Sequence, residues 1–299
     1  MAQHLRASIS PMILTCPRDR LPLTDLKCSA GHQYLAFEGI PVLLRDDVPE
    51  TIASYTDSLR QARGELPIYD RDDYVSQLVA SAAGYLYRPL VGNLHEYPIP
   101  EIPVDGSGTL LDVGCNWGRW TIAAAQKGFK VVGIDSALDA LWAAQKVCKQ
   151  LGIEAEFICA DARYLPFGDN SFDHAFSFSV LQHFSKQDAR RAFAEMKRTA
   201  KHFMVEIPGK YGIRALQHQI RRGFKEGQGF DVRYWTPKEL SEIGRLKVHA
   251  YFGTGVLYCD RKYIPRRYHP ILYCSEGLRY LSEVITPLRY VADSFYVIC

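Results

Sequence analysis

LLDVGCNWGRWTIAAAQKGFKVVGID, residues 110–135 of a 299-residue chain, decides the fold. A buried strand ends at Asp112, a tight turn holding Gly114 and Gly118 follows, a helix begins at once, and a second apolar strand closes on Asp135. Glycine adopts positive φ without a Cβ clash and lets the backbone pass close to a ligand. Asn116 stands where a third glycine is often found, and asparagine is among the few other residues that tolerate the left-handed region.

Beyond this unit the pattern repeats. AEFICAD (155–161), FDHAFSFS (172–179) and HFMVEIP (202–208) read as strands, with helices beginning near Gly118, Leu138 and Lys186. Such alternation predicts an α/β fold whose parallel sheet is covered on both faces and binds ligands beyond the carboxyl ends of its strands. Upstream, the proline-rich stretch YPIPEIPVDGSG (97–108) marks a boundary. Residues 50–95 read as helical, and residues 11–46 as a turn-rich, small β-rich module. The expected organisation is a module at 1–48, a helical lead-in and linker at 49–107, and a main domain at 108–299. Substrate-side insertions are expected at about 208–234 and 253–292.

Asp135 lies 17 residues after Gly118, at a strand end where a carboxylate can accept hydrogen bonds from both hydroxyls of a ribose. Asp161 ends the third strand, where it can meet an adenine amine. The spacing of Gly114 and Gly118 does not supply the G-x-G-x-x-G that a dinucleotide's pyrophosphate needs.

With DVGCNWG, GID, CADARYLPFGDNSFDHAFSFSVLQHF and the helix after it, the chain resembles the class I S-adenosylmethionine-dependent methyltransferases, particularly the ubiquinone and menaquinone biosynthesis branch. The resemblance covers about residues 108–207, with a weaker tail from WTPKEL (235–240) to DSFYVIC (293–299). It implies a Rossmann-like seven-stranded sheet with an antiparallel last strand. It also implies that Asp112, Gly114, Asn116, Gly118 and Thr121 line the methionine part of the cofactor and that Asp135, with Ser136, holds the ribose. Asp161 and Ala162 would hold the adenine, and Phe178 or Ser179 would close the pocket.

Methyl transfer from a sulfonium is an in-line displacement that chiefly needs alignment and exclusion of water. A hydroxyl acceptor also benefits from a general base, and the two candidates are His183 in SVLQHF and Glu206 near the end of the fifth strand. No Asn-Pro-Pro-Tyr-like motif follows strand four, which counts against the route that motif serves in methylating exocyclic amines.

In the N-terminal module, Cys16-x2-Asp19 and Cys28-x3-His32 bring four zinc-ligand types into two knuckles. The module resembles the small zinc-ribbon-type domain that precedes bacterial large-subunit rRNA guanine methyltransferases, with Asp19 where those proteins carry cysteine. A bound zinc and a metal-free β module are both open readings. The other cysteines, scattered through the chain, suggest buried thiols rather than disulfides.

Residues 1–196 hold 18 basic and 24 acidic side chains, residues 197–299 hold 18 and 9, so the +3 net charge conceals a strongly basic last third. There, KYGIRALQHQIRRGFKEGQGF (210–230) sets Ile213, Leu216, Ile220 and Phe224 along one helical face beside Arg214, Arg221, Arg222 and Lys225. Such a helix can cover the pocket, rest on an anionic membrane surface, or pack on the core. The first expectation is therefore methyl transfer to a small-molecule or lipid-linked acceptor at oxygen, with peripheral membrane contact. The alternative is an RNA (rRNA or tRNA) base methyltransferase, favoured by YCDRKYIPRRYHPILYC (258–274), where basic residues alternate with tyrosines on which bases can stack. No apolar run reaches signal-peptide or membrane-spanning length, so a cytoplasmic protein is expected.

Overall fold

The structure, a computed structural model, describes residues 13–49, 54–68, 72–81, 97–225, 229, 231–256 and 264–299. In chain order its strands are β1 (Leu35–Phe37), β2 (Ile40–Val42), β3 (Thr109–Val113), β4 (Lys130–Asp135), β5 (Glu156–Cys159), β6 (Phe172–Phe178), β7 (Ala200–Pro208), β8 (Arg245–Ala250) and β9 (Ser294–Ile298). The helices are α1 (Ser54–Ala62), α2 (Asp72–Ser81), α3 (Arg119–Gln126), α4 (Leu138–Leu151), α5 (Lys186–Thr199), α6 (Ile213–Arg221), α7 (Pro237–Ser241), α8 (His269–Val284) and α9 (Thr286–Tyr290).

One sheet joins all nine strands in the order β1-β2-β5-β4-β3-β6-β7-β9-β8. Strands β3 to β7 run parallel, and β9 enters antiparallel between β7 and β8. This is a Rossmann-like sheet of seven strands in which chain order reverses beside β3, with two strands added at one edge. Within β3 the side chains alternate faces. Leu110 joins Trp120, Phe129 and Phe176 on one side, while Leu111 and Val113 join Leu165, Phe193 and Met196 on the other.

The two added strands are the difference from the seven that the resemblance implied. The β1–β2 hairpin covers the edge of β5 through the parallel pair Val42↔Cys159 and a 2.7 Å bond from the Leu43 N–H to the Cys159 carbonyl. An open β5 edge would leave backbone groups without partners, and the hairpin supplies them. The N-terminal segment also shares the main core, since Cys16, Cys28 and Tyr34 are buried in the cluster that contains Leu165, Phe167 and Phe172.

The expected helical lead-in contains α1 and α2, and its residues 50–53, 69–71 and 82–95 lie outside the described residues. Helix α1 has a fixed task. Ser58 Oγ accepts from the Leu138 N–H (2.9 Å) at the start of α4 and donates to the Ser136 carbonyl (2.8 Å). Position 137 is alanine and offers no capping side chain, so Ser58 satisfies an amide that the helix's own sequence leaves open.

Candidate active site

The turn after β3 is held in the left-handed region at three positions: Gly114 (φ 78°), Asn116 (φ 49°) and Gly118 (φ 85°). A Cβ at Gly114 would stand 2.3 Å from Val180 Cγ2, so only glycine fits there. Asn116 completes the turn by accepting the Trp117 N–H on Oδ1 (2.8 Å), and its own N–H donates to Asp135 Oδ2 (3.0 Å). The Ala137 N–H donates to the other oxygen of Asp135 at 2.9 Å. The ends of β3 and β4 are thereby tied through one carboxylate, whose pKa burial pushes up.

Asp112 is 1% exposed and accepts from Thr121 Oγ1 at 2.7 Å. Burial pushes its carboxyl up to about 7. The next strand, β4, approaches this pair closely, since a Cβ on Gly133 would lie 2.9 Å from both Thr121 Oγ1 and Cys115 Sγ.

Asp161, just past β5, is buried against Arg163, a residue the sequence reading did not single out. The guanidinium meets both carboxylate oxygens at 2.7 to 3.1 Å, and the Arg163 N–H adds a bond of 2.8 Å. Arg163 Nη2 also donates to the Pro49 carbonyl at 2.8 Å, linking the lead-in to the rim of the site. Ala162 beside it is buried.

At the end of β6, Phe178 packs on Trp120 (ring centroids 4.8 Å) and edge-on to His249 (5.7 Å). Ser179 takes φ 58° and donates Oγ to Glu206 Oε2 at 2.8 Å. Glu206 on β7 is 4% exposed, and burial pushes its carboxyl up to about 7. Ser179 and Glu206 line a cavity of about 130 Å³ together with Gln182, Arg214, Tyr234 and Ser294. His183 sits in the short 3-10 turn Leu181–His183, Nε2 facing the Gln182 amide at 3.2 Å, and is not among the residues that line this cavity. His249, which the sequence reading missed, packs at a tilt against Tyr296 (ring centroids 4.3 Å), and burial lowers its pKa to about 3, so the ring is neutral.

The four N-terminal ligand candidates converge. Ligand atoms of Cys16, Asp19, Cys28 and His32 all lie within 4.8 Å of one another. His32 Nδ1 stands 2.9 Å from Asp19 Oδ2, 3.5 Å from Cys16 Sγ and 3.4 Å from Cys28 Sγ. One ring nitrogen carries a single proton or a single lone pair, so it bonds one of these three partners and leaves the others in contact without a bond.

Residues 110–202 match the family described as "Methyltransferase domain". The matched stretch is about a third of the chain. It contains β3 to β6 and the turns just described, and ends inside β7. Among curated relatives, the demethylmenaquinone methyltransferase of Renibacterium salmoninarum is 37% identical over 93 residues, covering 31% of this chain and 36% of its own length. The biotin biosynthesis bifunctional protein BioHC of Cellvibrio japonicus is 32% identical over 140 residues, covering 46% of this chain and 24% of its own. The chain thus spans about a third or less of the length of these relatives. Among solved structures, a SAM-dependent methyltransferase from Methanosarcina mazei aligns at 19% identity over 67% of this chain and 97% of its own, with TM-score 0.45. An overlap of that grade carries no argument about activity.

Proposed function

We propose that the chain is an S-adenosylmethionine-dependent methyltransferase acting on a small-molecule or lipid-linked acceptor at oxygen. The observation that carries this reading is the coincidence of the methyltransferase-domain match with three acidic side chains, Asp112, Asp135 and Asp161, at the carboxyl ends of three adjacent parallel strands. The cofactor, when bound, supplies a methyl group on a sulfonium that needs no further activation.

The chain's own residues then have distinct tasks. Asp112, the Gly114–Gly118 turn and Thr121 hold the methionine end. Asp135, oriented in advance by the N–H groups of Asn116 and Ala137, and Ser136 hold the ribose. Asp161 and Ala162 face the adenine; the Arg163 pair fixes the direction of the carboxylate and leaves it further lone pairs to accept an amine. Phe178 and Ser179 close the pocket. The donor set fits a cationic, hydroxyl-rich ligand, because each strand end offers acceptors and Asp112 and Asp135 are desolvated enough to gain from a nearby positive charge.

For the acceptor's proton, Glu206 is the better general base of the two candidates. It lines the cavity and its carboxyl titrates near neutrality, whereas His183 lies outside that lining. A small acceptor also agrees with the name of the demethylmenaquinone relative. We further propose that Cys16, Asp19, Cys28 and His32 hold a structural zinc ion. Ligands at 2.0 to 2.3 Å on a tetrahedral centre stand roughly 3.3 to 3.8 Å apart, close to the 3.4 to 3.5 Å of three contacts made by the cysteine sulfurs, while His32 Nδ1 and Asp19 Oδ2 stand closer at 2.9 Å.

The decisive experiment is native mass spectrometry of freshly purified protein, followed by calorimetry with S-adenosylhomocysteine. Binding with one site per chain is expected. A folded chain that binds neither S-adenosylmethionine nor S-adenosylhomocysteine would overturn the reading.

A further inference from the structure

Two helices of the basic last third turn large apolar side chains toward solvent. At about 100° per residue, Ile213, Leu216 and Ile220 of α6 fall on one stripe, and Ala215, the helix's one buried side chain, falls on the opposite side. The stripe faces solvent: Ile220 is 62% exposed, and Phe224 just beyond the helix 68%. On α8 the buried residues are Ser275 and Ser282, with Leu278 packed against the core beside them, while Tyr273, Tyr280, Leu281 and Val284 point out, with Val284 84% exposed. Polar bonds hold α8 to the body, since Ser275 Oγ accepts from the Tyr251 N–H (2.9 Å) and the Thr254 hydroxyl (2.7 Å). Arg289 Nε of α9 donates to the Ser282 carbonyl at 2.8 Å and ties the two consecutive helices together.

A surface helix of a soluble domain normally turns its apolar stripe inward. Of the eighteen large apolar side chains exposed among the described residues, fourteen lie between 211 and 291. The same third of the chain carries the excess of basic over acidic residues, with Arg221 and Lys225 beside the α6 stripe. Tyrosines 211, 268, 273, 280 and 290 are all exposed there. Tyrosine and arginine suit the boundary between hydrocarbon and headgroup, because each has an apolar body and a polar tip.

We propose that α6 and α8 dock the chain on an anionic bilayer surface, with the apolar stripes entering the headgroup region and the basic side chains of α6 meeting lipid phosphates. Charge selects this occupant over a second copy of the chain. A self-complementary contact through α6 would set its basic side against the same basic side of the partner copy, whereas an anionic bilayer neutralises it. No helix among the described residues is long and apolar enough to cross a membrane, so the helices lie on the surface. The other side of α6 lines the acceptor cavity through Arg214 and Ala215, next to Glu206. Docking therefore brings the cavity to the bilayer boundary, where an amphiphilic acceptor can reach it with its polar end.

The test is flotation of the full chain, without cofactor, on phosphatidylcholine vesicles with and without about 30% phosphatidylglycerol. Because cofactor and methyl transfer are not involved, failure here is separate from failure of the proposed activity. Binding to the anionic vesicles is expected to fall as salt is raised and to be weak on neutral vesicles. The double changes Ile220→Glu with Phe224→Glu, and Leu281→Glu with Val284→Glu, should each reduce partitioning at least about tenfold while leaving S-adenosylhomocysteine affinity and the circular dichroism spectrum unchanged. The proposal fails if anionic vesicles do not bind the chain, or if the glutamate variants float as well as the parent. It also fails if sedimentation shows a dimer that these same changes dissociate, which would make the apolar stripes an interface between copies.

Discussion

Asp135 accepts two backbone N–H groups before any ligand arrives, so the direction of its carboxylate is fixed by the turn after β3 and by the start of α4. Preorganisation of this kind spares the ordering cost on binding. Asp135→Ala should remove two hydrogen bonds to a charged acceptor, each worth about 1.5 to 3 kcal/mol, and weaken S-adenosylhomocysteine binding at least tenfold by calorimetry. Unchanged affinity in a folded variant would sink the ribose assignment. At Glu206 and Asp112 burial dominates. Both carboxyls titrate near 7 in the folded chain, so between about pH 4 and 7 the folded state keeps protons that the unfolded state has released. Their contribution to stability is complete below the unfolded pKa values and is lost as pH rises through 7, at up to about 1.4 kcal/mol per pH unit for each group. Glu206→Gln stays neutral throughout. Its melting temperature relative to the parent should therefore be more favourable at pH 8 than at pH 5; the reverse order would mean that the carboxylate form is stabilised by its surroundings. The same change should lower kcat at least about a hundredfold and abolish a rising limb near pH 7, with His183→Ala costing less.

Two elements carry predictions of their own. In the N-terminal segment the four converging side chains anchor the turns that lead into β1 and β2, and through them the edge of β5. Protein purified without chelator should contain about one zinc per chain by elemental analysis, and Cys28→Ser should remove it and lower the melting temperature. Metal-free protein with the segment still folded would leave the cluster as a hydrogen-bonded relic. At the end of α6, Arg222 pairs with Asp231 at 2.7 Å and reaches the Val232 carbonyl at 3.3 Å, whereas Arg221 is exposed on the outer side. Val232 and Tyr234 line the cavity beside Glu206, so under the proposed function Arg222→Ala should raise the acceptor KM and leave cofactor affinity intact. Arg221→Ala should do less in solution. Equal effects would show that the pair acts by charge alone. The strand least legible in the sequence was β8: RLKVHA alternates apolar and polar residues over only six positions, and its pairing partner β9 begins 44 residues later. Helix α6 was legible as amphipathic, but which way its apolar stripe points depends on what surrounds it.

For the whole molecule, the question is whether the basic last third meets RNA or a smaller acceptor. RNA held by this region would displace condensed counterions, and affinity would fall with a log–log slope of roughly −0.7 per neutralised phosphate. A small or lipid-linked acceptor makes few phosphate contacts, so with a soluble acceptor analogue KM should change little between about 50 and 200 mM salt. Micromolar or tighter RNA binding that collapses with salt, together with methyl incorporation into bulk RNA, would reverse the ranking. Part of the stretch that favoured RNA, residues 258–263, lies outside the described residues.

Local spacing determined much of this protein. The alternation of short apolar runs with helical segments required a parallel sheet, and the turn residues Gly114, Asn116 and Gly118 adopt the left-handed conformations their chemistry permits. Cys16, Asp19, Cys28 and His32 were visible as ligand types because two short knuckles need only local geometry to form. What the tertiary structure alone decided is non-local. It set the N-terminal hairpin on the edge of β5 and brought Ser58 onto the start of α4 from 80 residues away. It also put Glu206 rather than His183 against the cavity and turned the apolar stripes of α6 and α8 toward solvent. Each of these outcomes depends on which surfaces meet once the sheet has formed, and periodicity along a chain carries no record of that meeting.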